Sequence, residues 1–262
     1  FHNSIPESWK VSGMMVGLYT GGTPNLAALA TALDVQPSIF ILTHTYDLIA
    51  GIVLLLFFIT IGQRTLNLFL PHFNGKKTNT KPKEIIENSE GVDNFIDYFK
   101  WKTTKPFLGA IGLSILIFGA GYGLSMLFPK DMLMTIIILS ITTFGIAFSL
   151  VPRINKIEKT FEFGMYLILV FSVVVSSMAD LRIIFQIEFL NLFLYVILAV
   201  FGSLLIHVLL SKLFKIDTDS TIIAITALST SPPFVPVVAG ALKNKEIIVT
   251  GITIGVIGYA IG

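Results

Sequence analysis

Apolar residues fall along the chain in blocks of roughly 20, set apart by short runs of charge, proline or asparagine. Twenty residues is the length at which an α-helix, rising about 1.5 Å per residue, crosses a hydrocarbon core of about 30 Å. The pattern predicts spanning helices at 38–62, 106–128, 132–151, 161–181, 191–211 and 246–262. The blocks do not alternate apolar and polar at every second position, as strands of a membrane barrel would. Two further apolar stretches, 11–33 and 220–242, are interrupted at their centres by YTGGTPN and STSPPF. The predicted fold class is therefore all-α: a polytopic membrane protein with two interrupted helices, each a re-entrant hairpin or a broken crossing helix.

The longest polar segment, 63–105, contains GKKTNTKPKE and then EGVDNFIDYFKW. There Val92, Phe95, Ile96 and Phe99 recur at helical spacing opposite Asp93, Asp97 and Lys100, which predicts a linker carrying a short helix on the membrane surface. A solvated loop is the alternative.

Laying residue 24 over residue 233 aligns Pro24 with Pro233, Ala30 with Ala239, Ala32 with Ala241 and Leu33 with Leu242, and Thr20 with Ser229. Each copy has a breaker cluster, a limb of small residues, a short polar turn (DVQP or KNKE) and then a spanning helix. Matched interrupted segments in an internal repeat point to a secondary transporter and its binding site. The expected organisation is the end of a first repeat at 1–62, a cytoplasmic linker at 63–105 and a second repeat at 106–262. The second break follows four predicted spanning helices and the first follows about ten residues, so roughly a hundred further N-terminal residues are expected.

If the repeats are inverted, the interrupted segments open on opposite membrane faces. Five full crossings separate them, which satisfies inversion when both segments dive in and return, with tips at Gly21–Pro24 and Ser231–Pro233. Lys and Arg concentrate in cytoplasmic loops. With hairpins, fifteen of the 18 basic residues share one face and Lys10, Lys130 and Arg182 lie on the other. Full crossings would give 14 against 4, so charge sets the orientation more than it separates the two topologies.

Composition agrees with the pattern: 54% of residues are hydrophobic, 13% are charged and the mean hydropathy is +0.83, against about 25% charged in soluble domains. There is no cysteine, hence no disulfide or thiolate chemistry. The opening FHNSIPESWK lacks the basic and apolar regions of a signal peptide. The expected location is the cell (inner or plasma) membrane, with several passes. No nucleic-acid partner is expected, and a homodimer is left open.

Unpaired backbone groups in lipid cost several kcal/mol each, so a break survives only where protein, water or ligand satisfies them. Gly21 and Gly22 allow a sharp turn and a bare backbone, and Pro24 suits the first turn of the limb that follows. Limb N-termini would face an anion, and the hydroxyls of Thr20, Thr23, Ser229, Thr230 and Ser231 a small cation. The plainer reading is that these residues kink a packed helix. In ILTHTYDLIAG, Thr43 and Asp47 share a face at i and i+4. An acid about nine residues into a spanning helix is expensive, which makes Asp47 the candidate for holding sodium or a proton. His44 is a lesser candidate. Asp180 beside Arg182 reads equally as an interfacial ion pair, and His207 as an inter-helix hydrogen bond. Gly119, Gly121 and Gly123 imitate a nucleotide fingerprint but sit in a predicted spanning helix with no strand before it.

GGTPN, the aspartate of THTYDL, SSMADL, the histidine of SLLIHVLL and the ending VTGITIGVIGYAIG together resemble the family known as domain of unknown function 819. That family is similar to the cation:proton antiporter and anion transporter clan, which includes sodium:glutamate symporters. The resemblance implies two inverted repeats of five helices plus a re-entrant hairpin, and carries Gly21, Gly22, Asn25 and Asp47 as site residues. Similar proteins have a glycine pair in the second hairpin where this chain reads SPP.

The expected function is ion-coupled symport of a small polar or anionic metabolite by alternating access. Gly21, Gly22, Thr23, Asn25, Thr230, Ser231 and Pro232 would bind substrate, and Asp47, Thr43, Thr20 and Ser229 the coupling ion. No resident cofactor or metal is expected beyond Na+ or H+ as coupling ion. Cation:proton antiport through Asp47 is the alternative. An intramembrane enzyme is disfavoured, because no HExxH, GxSxG or paired intramembrane aspartates occur.

Overall fold

A computed structural model describes residues 5, 7–75, 101–157, 160–179, 182 and 186–262. Regular structure among them is entirely helical. The elements are α1 (Ser8–Ala32), α2 (Pro37–Leu66), α3 (Trp101–Ser125), α4 (Leu133–Ser149), α5 (Pro152–Asn155), α6 (Thr160–Ser177), α7 (Leu190–Leu213), α8 (Thr218–Ile225), α9 (Val235–Leu242) and α10 (Glu246–Ile261). Within α2, a π-helical turn at Phe58–Gly62 joins the main helix to a last turn at Gln63–Leu66.

Among the described residues, three helices are long and apolar enough to cross a membrane: Pro37–Leu66, Phe107–Ser125 within α3, and Leu190–Leu213. Leu133–Ser149, Tyr166–Ser177 and Glu246–Ile261 are shorter apolar helices. Large side chains such as Leu116, Leu209 and Val173 are mostly exposed, which water would not tolerate on this scale and lipid rewards. Several boundaries differ from those predicted, two of them informatively. Helix α2 continues past residue 62, because the π turn absorbs the break in periodicity, and α3 begins at Trp101, inside the expected linker. The predicted surface helix at 92–100 lies outside the described residues.

The chain clusters into two compact units, one from Phe1–Ala30, Val35–Val92 and Ser172–Gly262, the other from Thr31–Asp34 and Asp93–Phe171. In the second unit α3 packs along α4, Gly121 lying against Ser140 and the Ile137 carbonyl, and the rings of Phe107 and Phe163 meet edge to face at 5.0 Å.

The first unit holds both interrupted segments, and in each the chain folds back. Gly22 breaks α1 with φ 72° and ψ −168°, a region glycine enters without steric cost. The Gln36 N–H reaches the Glu7 carboxylate at 3.1 Å, whereas an unbroken helix would hold those residues about 40 Å apart. A β-carbon at Gly17 would strike the Leu29 side chain, so the two limbs lie against each other. The second segment runs through α8 and a π turn at Thr226–Thr230, breaks at Ser231 (φ 126°, ψ 151°), and resumes through Pro232–Phe234 into α9. Its ends also meet, the Asn244 amide donating to Asp219 at 2.9 Å.

The same overlay of residue 24 on residue 233 places Gly22 on Ser231, the two break points. It also places left-handed Asp34 (φ 50°) on left-handed Lys243 (φ 56°). Each limb then closes with the same six-residue bond, Val35 N–H to the Ala30 carbonyl at 2.9 Å and Asn244 N–H to the Ala239 carbonyl at 3.0 Å, the pattern of a Schellman cap. The correspondence lies in backbone conformation more than in side-chain identity.

Helix α2 sets the two folded-back segments against each other. The feet of the first lie at its N-terminal end, since Gln36 immediately precedes Pro37. The feet of the second lie at its C-terminal end, where the Gln63 amide donates to Asp219, and Thr218 N–H bonds the Pro71 carbonyl at 2.9 Å. Both tips therefore reach α2 near its middle. Helix α10 closes the other side: Gly255 lies on Pro232, and Gly258 on the Thr20 carbonyl and Leu228.

Candidate functional site

Where the tips meet α2 there is a cavity of about 110 Å³. The first tip contributes Leu18, Gly22 and Thr23, and the second Ser229, Thr230, Ser231 and Phe234. Helix α2 supplies Asp47, Leu48, Gly51, Ile52 and Leu55, one stripe at spacings of three and four. Polar groups thus face one another across the tips, with aliphatic side chains and Phe234 around them.

Asp47 is 6% exposed and its Oδ1 accepts a hydrogen bond from the Tyr19 hydroxyl at 2.8 Å. A carboxyl so placed is retained only at a cost in free energy. Gly51 brings α2 within reach of Thr230: a β-carbon there would sit 3.9 Å from the Thr230 methyl. Thr230 turns its own hydroxyl onto the Thr226 carbonyl at 2.7 Å.

Of the eleven residues assigned from sequence, Gly22, Thr23, Asp47, Ser229, Thr230 and Ser231 line this cavity. The other five do not. Gly21 faces the Gly258 carbonyl, and the Asn25 amide reaches the Tyr259 carbonyl at 3.4 Å. The Thr20 hydroxyl bonds the Val16 carbonyl at 2.8 Å, and Pro232 packs on Gly255. These four hold the tips against α10. Thr43 is fully buried one turn before Asp47, and its hydroxyl has no hydrogen-bond partner.

That hydroxyl is unusual here. Thr45, Thr60, Thr65 and Thr226 all turn theirs back onto the carbonyl four residues earlier, the ordinary way to satisfy a hydroxyl inside a helix. Buried His44 lies beside the Ser172 backbone, neither ring nitrogen closing a hydrogen bond of good geometry, and its ring stacks on Phe40. The Tyr259 hydroxyl lies buried beside Ser231 without closing a hydrogen bond of good geometry. Sequence reasoning passed over Tyr19, Gly51 and Tyr259. Tyr19 was within reach of it, standing three residues before the break, where a helical side chain still faces the tip.

At the foot of the first folded-back segment, the Lys10 ammonium beside Glu7, with the Gln36 N–H, holds the Glu7 carboxyl below its usual range. No group of three His, Cys, Asp or Glu able to hold a metal occurs among the described residues. Asp180 lies outside them, and half-buried His207 is not among the residues that line the cavity.

An all-helical membrane protein in which two folded-back, matched breaks converge on a buried acid is the class these features define. The chain belongs to the protein family of unknown function DUF819, whose model matches residues 1–262. It is similar to the uncharacterized membrane protein YjcL of Bacillus subtilis (strain 168), with 26% identity over 277 aligned residues covering 98% of this chain. The chain spans 66% of the length of that relative. No solved structure matches.

Proposed function

We propose that this protein is the core of a multi-pass secondary transporter of the cell membrane, moving a small polar or anionic metabolite by alternating access in symport with Na+ or H+. The observation that carries the proposal is the convergence of two folded-back segments, entering from opposite ends of α2, on one cavity at Asp47. In a bilayer these segments are re-entrant hairpins of inverted repeats. Each leaves backbone groups at its tip that lipid cannot satisfy and a transported solute can. The cavity of about 110 Å³ holds an ion or a few waters, and is well below the roughly 300–1,000 Å³ of a typical ligand pocket. Solute entry therefore requires the tips to part.

The decisive experiment is thermal unfolding of the full-length purified protein against a metabolite panel, with and without sodium. A true ligand at a hundred times its dissociation constant adds about 2.7 kcal/mol, and sodium should enhance the effect. If no small polar solute stabilises the protein in either medium, symport is rejected.

Cation:proton antiport is the second reading, favoured by the presentation of the Asp47 carboxyl to the cavity. Collapse of a pH gradient in vesicles on cation addition, with no solute present, would establish it. Enzymatic function receives less support, since the Asp47 hydrogen bond comes from a tyrosine and not from a second carboxyl.

A further inference from the structure

A second cavity lies within the other unit. It is a groove of about 440 Å³ between α3 and α6, bounded by Phe107, Ile111, Ser114, Ile115, Phe118 and Leu167 among others. Its few hydroxyls are already used: Ser114 bonds the Ala110 carbonyl at 3.0 Å and Thr160 the Ile157 carbonyl at 3.2 Å. The groove therefore presents hydrocarbon. Nothing lies within 4 Å of a β-carbon placed at Gly164, so the groove stands open at that point.

From Phe107 to Phe118, α3 rises about 16 Å, a length that one extended hydrocarbon chain can follow along the apolar groove. The ends of the groove also differ. The Phe107–Phe163 contact places the N-terminal ends of α3 and α6 together. Exposed Lys105 stands two residues before Phe107, and exposed Arg153 and Lys156 shortly before Thr160. Counted together with Glu158, Lys159 and Glu162 of the same stretch, that end keeps a net positive charge, and the remainder is apolar. Basic sites between membrane helices take anionic headgroups, with each Lys or Arg near the surface worth about 1 kcal/mol.

We propose that this groove binds one acyl chain of an anionic phospholipid, with its headgroup on the cationic end formed by Lys105, Arg153 and Lys156. The ligand is lipid of the leaflet facing the basic side.

The test uses the full-length protein in detergent, titrated with phosphatidylglycerol and with phosphatidylcholine of the same acyl chains, and bound lipid read by native mass spectrometry. The wild type should bind phosphatidylglycerol at least ten-fold more tightly. Gly164→Leu, which enters open space, should fill the groove and weaken binding of both lipids about ten-fold, and Ala110→Leu should do the same if the first variant folds poorly. Lys105→Glu should remove the preference for phosphatidylglycerol and leave phosphatidylcholine binding intact. Equal binding of the two lipids by the wild type would overturn the proposal. So would unchanged binding in both leucine variants, or cross-linking of a cysteine at position 115 to a second copy that excess lipid does not displace.

Discussion

Ser231 is the residue where the backbone departs furthest from what its side chain prefers. With φ 126° and ψ 151° it occupies a region that is almost the preserve of glycine and costs of order 1–3 kcal/mol for other residues. Ser231→Gly should therefore raise stability by about 1 kcal/mol, in spite of the freedom glycine adds to the unfolded chain. Gly22→Ala should lower it by about as much or more, because φ is positive there too and the new methyl would crowd the Tyr259 ring. Unfolding of the two purified variants by denaturant checks both signs. Thr43 gives a complementary expectation. Replacing its unpartnered buried hydroxyl by a methyl of the same shape, in Thr43→Val, removes a desolvation penalty of about 1–3 kcal/mol and should stabilise the apo protein. If Thr43 helps to bind the coupling ion, the same variant should lose sodium-dependent stabilisation. Asp47→Asn should abolish ion-dependent uptake in vesicles without unfolding the protein, since the amide still accepts the Tyr19 hydrogen bond.

Among elements, the folded-back segments show how far sequence reading reached. Glycine and proline inside an apolar run announced each break, because their backbone requirements are local. The repeat expected from the sequence rests on a few aligned identities, and the left-handed caps at Asp34 and Lys243 fall at equivalent positions of that alignment. What was not legible depends on partners distant in the chain. Nothing in its neighbours marks Gln63 as the donor to Asp219, or tells Gly255 and Gly258 in α10 from other membrane glycines. For the same reason nothing in the sequence marks the contacts of Gly21, Thr20, Asn25 and Pro232 with α10. That packing can be tested: a β-carbon at Gly258 would collide with the Thr20 carbonyl, so Gly258→Ala should destabilise by about 1–3 kcal/mol and loosen the first tip. The foot of that segment has its own signature. Glu7 titrates below its ordinary value of 4.5 because of Lys10 and Gln36. Its contribution is therefore complete above that pH and is lost as pH falls through the depressed folded value. The stability advantage of the native protein over Glu7→Gln should be constant near neutrality and shrink below pH 4.5, as followed by melts across the acid range.

For the first unit as a whole, the governing relation is that α2 carries the feet of one folded-back segment at each end and both tips at its middle. A bilayer normal to α2 would expose Glu7 and Gln36 on one side and Asp219 and Asn244 on the other, with Gly22 and Ser231 buried between them. Charge supports the same assignment, since Lys243 and Lys245 accompany the second pair of feet and only Lys10 the first. These 262 residues contain no cysteine, so single cysteines placed among them can be read in intact cells once any elsewhere in the full-length protein are replaced. An impermeant maleimide should label position 36 from outside and fail to label position 244 until the membrane is opened. A cysteine at Thr23 or Ser229 should react from one side at a time, and change side when a saturating ligand or an ion gradient shifts the equilibrium between outward- and inward-open states. Labelling of positions 36 and 244 from the same side would mean that the breaks lie in crossing helices of parallel sense. The two tips would then no longer be opposed gates over one cavity, and alternating access would lose its structural basis.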